Sequence, residues 1–187
     1  MYIIFLIAIM ASAMSSSHLK TFLRQTKNSL ASAIKNRETF FQTNRIHVFI
    51  GNEAADPDSI VSALCLAYLE QSSSAASPKD DGVLCVPMCC IPRADLALRK
   101  DTQLLFDMTG LDINDLVCLD DCDGFLGSIN SIECQNDQPF AVTLTDHNEL
   151  ANKWESGTAW LADRIVAIVD HHVDKGAHSH VKPPARN

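Results

Sequence analysis

A chain of 187 residues can bury one substantial core, and 47% hydrophobic with 20% charged residues is the balance of a folded globular protein. Its formal net charge of -8 argues against non-specific nucleic-acid binding, because no general positive field would gather phosphates. The same charge still allows a polyanionic substrate, provided bound cations supply positive charge locally.

The chain opens on the apolar run Tyr2-Ile-Ile-Phe-Leu-Ile-Ala-Ile-Met10, followed by the small residues Ala11-Ser-Ala13. That order resembles a signal-peptide core and cleavage site. Against it, no Lys or Arg precedes the run, and the run is too short to span a bilayer. No Asn-x-Ser/Thr acceptor occurs anywhere. The preferred reading takes residues 1–14 as an apolar extension, Met14 as the functional start and the protein as cytoplasmic, with no membrane partner. Secretion or membrane association is the alternative.

Residues 15–45 form a helical segment. Leu19, Phe22, Leu23, Leu30, Ala33 and Ile34 recur at helical spacing up to about Phe41, with Lys20, Arg24, Lys27 and Lys35 elsewhere. Ile46 to Gly51 reads as a buried first strand. A helix follows from Pro57 to about Gln71, with Asp56 suited to its N-cap and Pro57 to its first position. A polar loop from Ser72 to Gly82 leads to a second strand, Val83–Met88. Asp95–Thr109 is helical and stops at Gly110. Further strands are expected at Leu116–Leu119, Phe140–Thr145 and Arg164–Val169, and residues 182–187 form a polar tail.

Short continuous apolar strands alternating with helices indicate an α/β fold, a mostly parallel sheet with helices on both faces, over residues 46–181. Seven cysteines, an odd number, lie partly inside strand-like runs and read as reduced, mostly buried thiols. Cys85-x3-Cys89 and Cys118-x3-Cys122 lack the tight spacing of a zinc ribbon.

Three apolar strands run into acidic or imidazole groups: Asp56-Pro-Asp58 with Asn52 upstream, Asp146-His147-Asn148, and Asp170-His171-His172. In an open parallel sheet the carboxyl ends of strands meet in one crevice, where ligands bind. Carboxylates and imidazoles without thiolates suit Mn2+, Mg2+ or Co2+. Asp56 and Asp58 could each face a different cation, and Asp146 could bridge the two. Two cations about 3.5–4 Å apart can clamp a phosphoryl group and activate a water. Taken singly, Asp56 is better read as a helix cap, Asp146-His147-Asn148 as a turn, and the adjacent histidines as weak evidence. The case rests on all three strand ends together. No Gly-x4-Gly-Lys-Ser/Thr loop, Gly-x-Gly-x-x-Gly or His-Glu-x-x-His occurs.

Asn52-x3-Asp56-x-Asp58-Ser59, Asp146-His147-Asn148-Glu149 and Asp170-His171-His172 resemble the first three motifs of DHH phosphoesterases. Within that superfamily the chain is similar to the branch of family II pyrophosphatases, eukaryotic exopolyphosphatases and prune-type proteins. Asn52, where pyrophosphatases usually carry histidine, favours the exopolyphosphatase and prune-like groups, as does Ile91-Pro-Arg93-Ala-Asp95-Leu-Ala-Leu-Arg99. The intact Asp170-His171-His172 is a departure from most prune-type proteins. The resemblance implies two divalent cations, Mn2+ or Mg2+ with Co2+ a further option. Asp56 and Asp146 would hold one, and Asp58, Asp146 and His171 the other. His172 would face substrate phosphate, and Asp170 would support the histidines. Asn52 would be a weak ligand or position a water, and His147 and Asn148 would line the site. Arg93 would contact phosphate, with a surface ion pair as its equal alternative.

The activity implied is hydrolysis of the terminal phosphoanhydride of polyphosphate or a pyrophosphate-like substrate. The family continues into a further strand, a fourth motif with another metal-binding aspartate, and a separate carboxy-terminal domain that brings Arg and Lys over the substrate. Only fifteen residues follow His172, so the domain reads as apparently truncated and its catalysis as impaired. The alternative is a non-catalytic metal-binding interaction module on the same fold. A nucleotide phosphodiesterase is less favoured, because no aromatic stacking cluster accompanies the motifs.

Overall fold

The computed structural model describes residues 16–74, 82–122, 125–126, 139–151 and 159–186. The apolar extension, Cys134 and most of the polar loop lie outside the described residues.

The amino-terminal helical segment is two helices, α1 (Ser16–Lys35) and α2 (Arg37–Thr43), where one was expected. The break falls at Asn36, whose backbone (φ -117°, ψ 35°) leaves the helical range while its side-chain amide donates to Ser32 O at 3.2 Å. A short amide that bonds the backbone locally competes with helix continuation. β1 (Arg45–Ile50) follows, then α3 (Pro57–Ser74) and β2 (Val83–Cys89), each near its expected bounds.

The next helix also differs. Residues Arg93–Leu98 form a 3-10 turn, and α4 (Lys100–Thr109) begins only after Arg99 (φ -93°, ψ 68°) breaks the run. Gly110 closes α4 in the left-handed conformation (φ 70°), the stop expected of it. β3 is reduced to Val117–Cys118. The carboxylate of Asp121 accepts the Cys118 N–H at 2.8 Å, which turns the chain into the 3-10 segment Leu119–Cys122. β4 (Phe140–Thr145) has its expected limits, and β5 (Ile165–Val169) follows a 3-10 turn at Ala159–Arg164.

The described strands make one all-parallel sheet in the order β3-β2-β1-β4-β5. Alternate residues feed two buried clusters, one on each face. Ile46, Val48 and Ile50 of β1 pack with Val86, Met88, Leu144, Phe41 and Leu161 on one face. Phe49, Cys85 and Cys89 pack with Leu23, Ile60, Leu64 and Phe106 on the other. The expected α/β architecture is therefore present, and Cys85, Cys89, Cys90, Cys118 and Cys122 are buried. Among the described residues no cysteine joins a group able to hold a metal. No described helix is long and apolar enough to cross a membrane.

The strand order fixes where a ligand can enter. From β1 the chain moves outward to β2 and β3, then returns to the opposite side of β1 with β4 and β5. The loops leaving β1 and β4 therefore diverge above a seam between adjacent strands, and such a switch point opens a crevice at the carboxyl edge.

Candidate metal centre

The loop after β1 is tied to the first turn of α3. A Cβ on Gly51 would stand 2.4 Å from Ser59 Oγ and 3.1 Å from Ser59 O, so only glycine admits this approach. Buried Ser59 accepts the Asn52 N–H on its Oγ at 2.6 Å. Asn52 Oδ1 accepts the N–H groups of Ala54 and Ala55 at 2.9 and 3.1 Å. Ala55 takes a left-handed backbone (φ 49°), a strained conformation for a residue with a Cβ, and delivers Asp56 to the helix start. Asp56 accepts the Ser59 N–H on Oδ1 at 3.3 Å, so it caps the helix that Pro57 opens.

β4 meets this loop across the seam. Thr145 Oγ1 donates to Ile50 O at 3.2 Å, which locks the two strand ends together. Asp146 follows in the left-handed region (φ 62°), its N–H bonded to Val169 O at 2.9 Å. This turn aims a carboxylate whose side chain is 1% exposed back over the sheet. Asn52 Nδ2 donates to Asp146 Oδ2 at 2.7 Å. His171 Nε2 stands 3.0 Å and His172 Nδ1 3.9 Å from Asp146 Oδ1.

Two groups of candidate ligands result, and Asp146 belongs to both. Potential ligand atoms of Asp56, Asp58 and Asp146 lie within 4.8 Å of one another, as do those of Asp146, His171 and His172. Electrostatics register the crowding. Burial raises the Asp146 carboxyl, and the charges of Asp58 and Asp56 raise it further against the pull of His172 and His171. Asp56 is raised as well, by burial and then by Asp58.

The turn after β5 carries the histidines. Asp170 Oδ1 accepts the N–H of His171 (2.8 Å), the N–H of His172 (3.2 Å) and Nδ1–H of His172 (2.7 Å). A carboxylate only accepts, so the proton sits on Nδ1 of His172. That bond raises the His172 pKa, and although burial alone would raise Asp170, its hydrogen bonds hold it lowered. Asn148, buried beside this turn, gives Nδ2–H to Asp170 Oδ2 and to Val173 O, and takes Lys175 N–H on Oδ1 at 3.0 Å.

Asn52, Asp56, Asp58, Asp146, Asp170, His171 and His172 thus meet at one edge. His147 turns its Nδ1 to Thr145 O at 2.9 Å. Arg93 is engaged elsewhere: its guanidinium pairs with Asp121 and donates to Leu116 O (2.7 Å) and Asn114 O (3.3 Å), the ion-pair alternative drawn from the sequence. Asn148 spends its amide on the histidine turn. Ser59, quoted in the first motif but given no role there, and Thr145, not singled out, both shape the centre.

Asp146 Oδ1 is buried and lacks an aligned hydrogen-bond donor despite the nearby imidazole, which suits an atom kept for an ion. With several hard oxygen donors and two imidazoles beside it, the donor set fits a divalent cation.

A parallel α/β sheet that gathers three carboxylates and two histidines at its switch point defines an acidic-imidazole centre able to hold metal ions. No protein-family model matches the chain. It is 30% identical over 162 residues to the "Putative exopolyphosphatase" of Schizosaccharomyces pombe, covering 87% of this chain and 38% of that protein. It is also 30% identical over 143 residues to human "Exopolyphosphatase PRUNE1" (76% of this chain, 28% of that protein). Against the same-named Rattus norvegicus protein it is 28% identical over 136 residues (72% and 26%). The chain spans well under half the length of these relatives. Over these matched stretches it is similar to the prune-like exopolyphosphatase branch of the DHH phosphoesterases.

Proposed function

We propose that the chain carries the metal centre of an exopolyphosphatase-type hydrolase, which removes terminal phosphate from polyphosphate. The observation that carries this reading is the single buried carboxylate, Asp146, shared between an all-aspartate group and an aspartate-histidine group. In this reading Asp56 and Asp146 hold one divalent cation, and Asp58, Asp146 and His171 a second, all within the α/β unit of residues 46–181. Bound Mn2+ or Mg2+ would supply positive charge for phosphoryl oxygens and lower the pKa of an attacking water.

The protein's own groups perform the rest. Asp170 holds Nδ1–H of His172 and favours its imidazolium form, in which Nε2–H of that half-exposed ring would donate to a phosphate oxygen. Asn52 holds one oxygen of Asp146 and so leaves the other for the centre. In-line attack at phosphorus needs little covalent help from a protein, so holding substrate and charge in register is the main task.

The test is release of phosphate from tripolyphosphate by this chain with Mn2+ or Mg2+, beside Asp146→Ala. Metal-dependent release that Asp146→Ala abolishes is expected. No release at high protein and metal overturns the hydrolase reading for this chain. If Mn2+ then still raises the melting temperature, and Asp146→Ala removes that rise, the chain acts as a metal-binding module without turnover.

A further inference from the structure

Asn148 sits two residues beyond the shared carboxylate, yet its side chain points away from ligand duty. It is 6% exposed, and its amide is fully occupied by a different strand end. Nδ2 donates to Asp170 Oδ2 and, at 3.1 Å, to Val173 O, while Oδ1 accepts Lys175 N–H at 3.0 Å. These three partners bracket the His171-His172 pair on both sides in sequence. Asp170 in turn spends its other oxygen on both histidine N–H groups and the His172 ring.

A continuous chain of bonds therefore runs from the end of β4 through Asn148 and Asp170 to the His172 imidazole. The two imidazoles are more than half exposed, with side-chain accessibilities of 57% and 54%, so surrounding packing does little to hold them. Their rings lie 4.2 Å apart, each near Asp146. An exposed imidazole keeps one orientation only if its own hydrogen bonds impose it. Asp170 can impose it only while its carboxylate is itself anchored, and Asn148 is the side chain bonded to its second oxygen.

We infer that Asn148 is the positioning residue of this centre: through Asp170 it sets the orientation and tautomer of His172 and the placement of His171 beside Asp146. This rests on the proposed metal-centre reading and adds to it a residue that touches neither metal nor phosphate. The same turn has a second anchor that does not reach Asp170. Arg186 pairs with Asp174 and donates to Ala177 O at 2.6 Å. Removing that anchor loosens the turn without touching the relay, which makes Arg186→Ala the control.

The experiment compares the full chain with Asn148→Ala, Asn148→Asp and Arg186→Ala in two measurements. The first is the 15N-resolved Nδ1–H signal of His172 in metal-free protein, where a carboxylate bond shifts the proton downfield and slows its exchange. It should persist in the full chain and in Arg186→Ala, and vanish in Asn148→Ala and Asn148→Asp. The second is Mn2+ affinity by calorimetry, expected at least tenfold weaker in both Asn148 variants and within twofold of the full chain in Arg186→Ala. Asn148→Asp keeps the side-chain size and the acceptor toward Lys175, so it separates loss of the donor from loss of packing. A His172 signal that survives in a folded Asn148 variant overturns the inference, as does an equal loss in Arg186→Ala. Absence of Mn2+ binding by the full chain would instead count against the metal-centre reading, and the His172 signal would still decide the role of Asn148.

Discussion

The side-chain amide of Asn52 spans the seam between β1 and β4 and donates to Oδ2 of Asp146 at 2.7 Å. It is a neutral donor to a carboxylate that also feels the charges of Asp56, Asp58 and the two imidazoles. Asn52→Asp would replace this donor by a further carboxylate. The metal-free protein should lose about 1–3 kcal/mol near neutral pH, from the lost bond and added repulsion. The sign with pH follows from the raised pKa of Asp146. The folded state holds this proton more tightly than the unfolded chain does, so metal-free stability declines as pH rises through the raised value. The deficit of Asn52→Asp should therefore shrink as pH falls toward the unfolded carboxylate value of 3.8, and Mn2+ should narrow it at pH 7. Urea unfolding at several pH values, with and without Mn2+, measures both.

Gly51 is the hinge on which the loop bearing Asp56 and Asp58 leaves the sheet. Gly51→Ala forces its new methyl against Ser59 Oγ and Ser59 O. Overpacking of this kind costs roughly 1–3 kcal/mol. The strain acts on the first turn of α3, so Mn2+ affinity should fall together with stability. Adding Ser59→Ala removes the hydroxyl clash at 2.4 Å but leaves the backbone contact at 3.1 Å. The double variant should regain only part of the loss, and thermal unfolding with a Mn2+ titration reads the difference.

His47 makes the metal-free fold sensitive to acid by a separate route. Its ring lies between β1 and β4, with Nε2 2.8 Å from Thr143 Oγ1 and Phe49 alongside. Burial, aided by the charge of Arg45, lowers its pKa from 6.5 to about 4. The unfolded chain therefore takes up a proton between those values and the folded chain does not. Stability should fall as pH drops from about 6.5 toward 4, by no more than about 3 kcal/mol from this group. His47→Gln should flatten that part of the curve. Chemical denaturation at pH 7, 5.5 and 4.5 provides the comparison, and an unchanged slope in the variant would assign the acid sensitivity to other groups.

The features legible in the sequence were those set by neighbouring residues. Phe140–Thr145 is a strand because six residues of apolar and β-branched character stand between polar stretches, and its limits came out as expected. Gly110 ends its helix because a positive φ is cheap only there. The convergence of Asp56, Asp58, Asp146 and His171 could be anticipated because carboxyl ends of parallel strands share one edge, whatever the strand order. What local pattern could not reveal depended on partners far along the chain. The shortness of β3 reflects the grip of Asp121 on the Cys118 N–H. The task of Asn148 depends on Asp170, 22 residues later. Breaks at Asn36 and Arg99 escaped because the apolar periodicity continues through both.

Arg93 shows the same limit and yields a further test. A guanidinium just past the end of β2 suits a phosphate contact by composition. In the fold it pairs with Asp121, 28 residues on, and donates to the carbonyls of Asn114 and Leu116, while its backbone N–H donates to Asp120 Oδ1 at 3.0 Å. One side chain thus ties the 3-10 turn at Arg93–Leu98 to both flanks of β3, and both members of the ion pair are about three-quarters buried. Hydrogen bonds to a charged group in such a setting contribute about 1.5–3 kcal/mol. Arg93→Ala should therefore lose stability on that scale in urea unfolding while its Mn2+ affinity stays within twofold of the parent. Arg93→Lys should recover little, because an ammonium cannot reproduce the planar fork that reaches three acceptors. The opposite pattern, unchanged stability with weaker tripolyphosphate binding, would return Arg93 to the substrate.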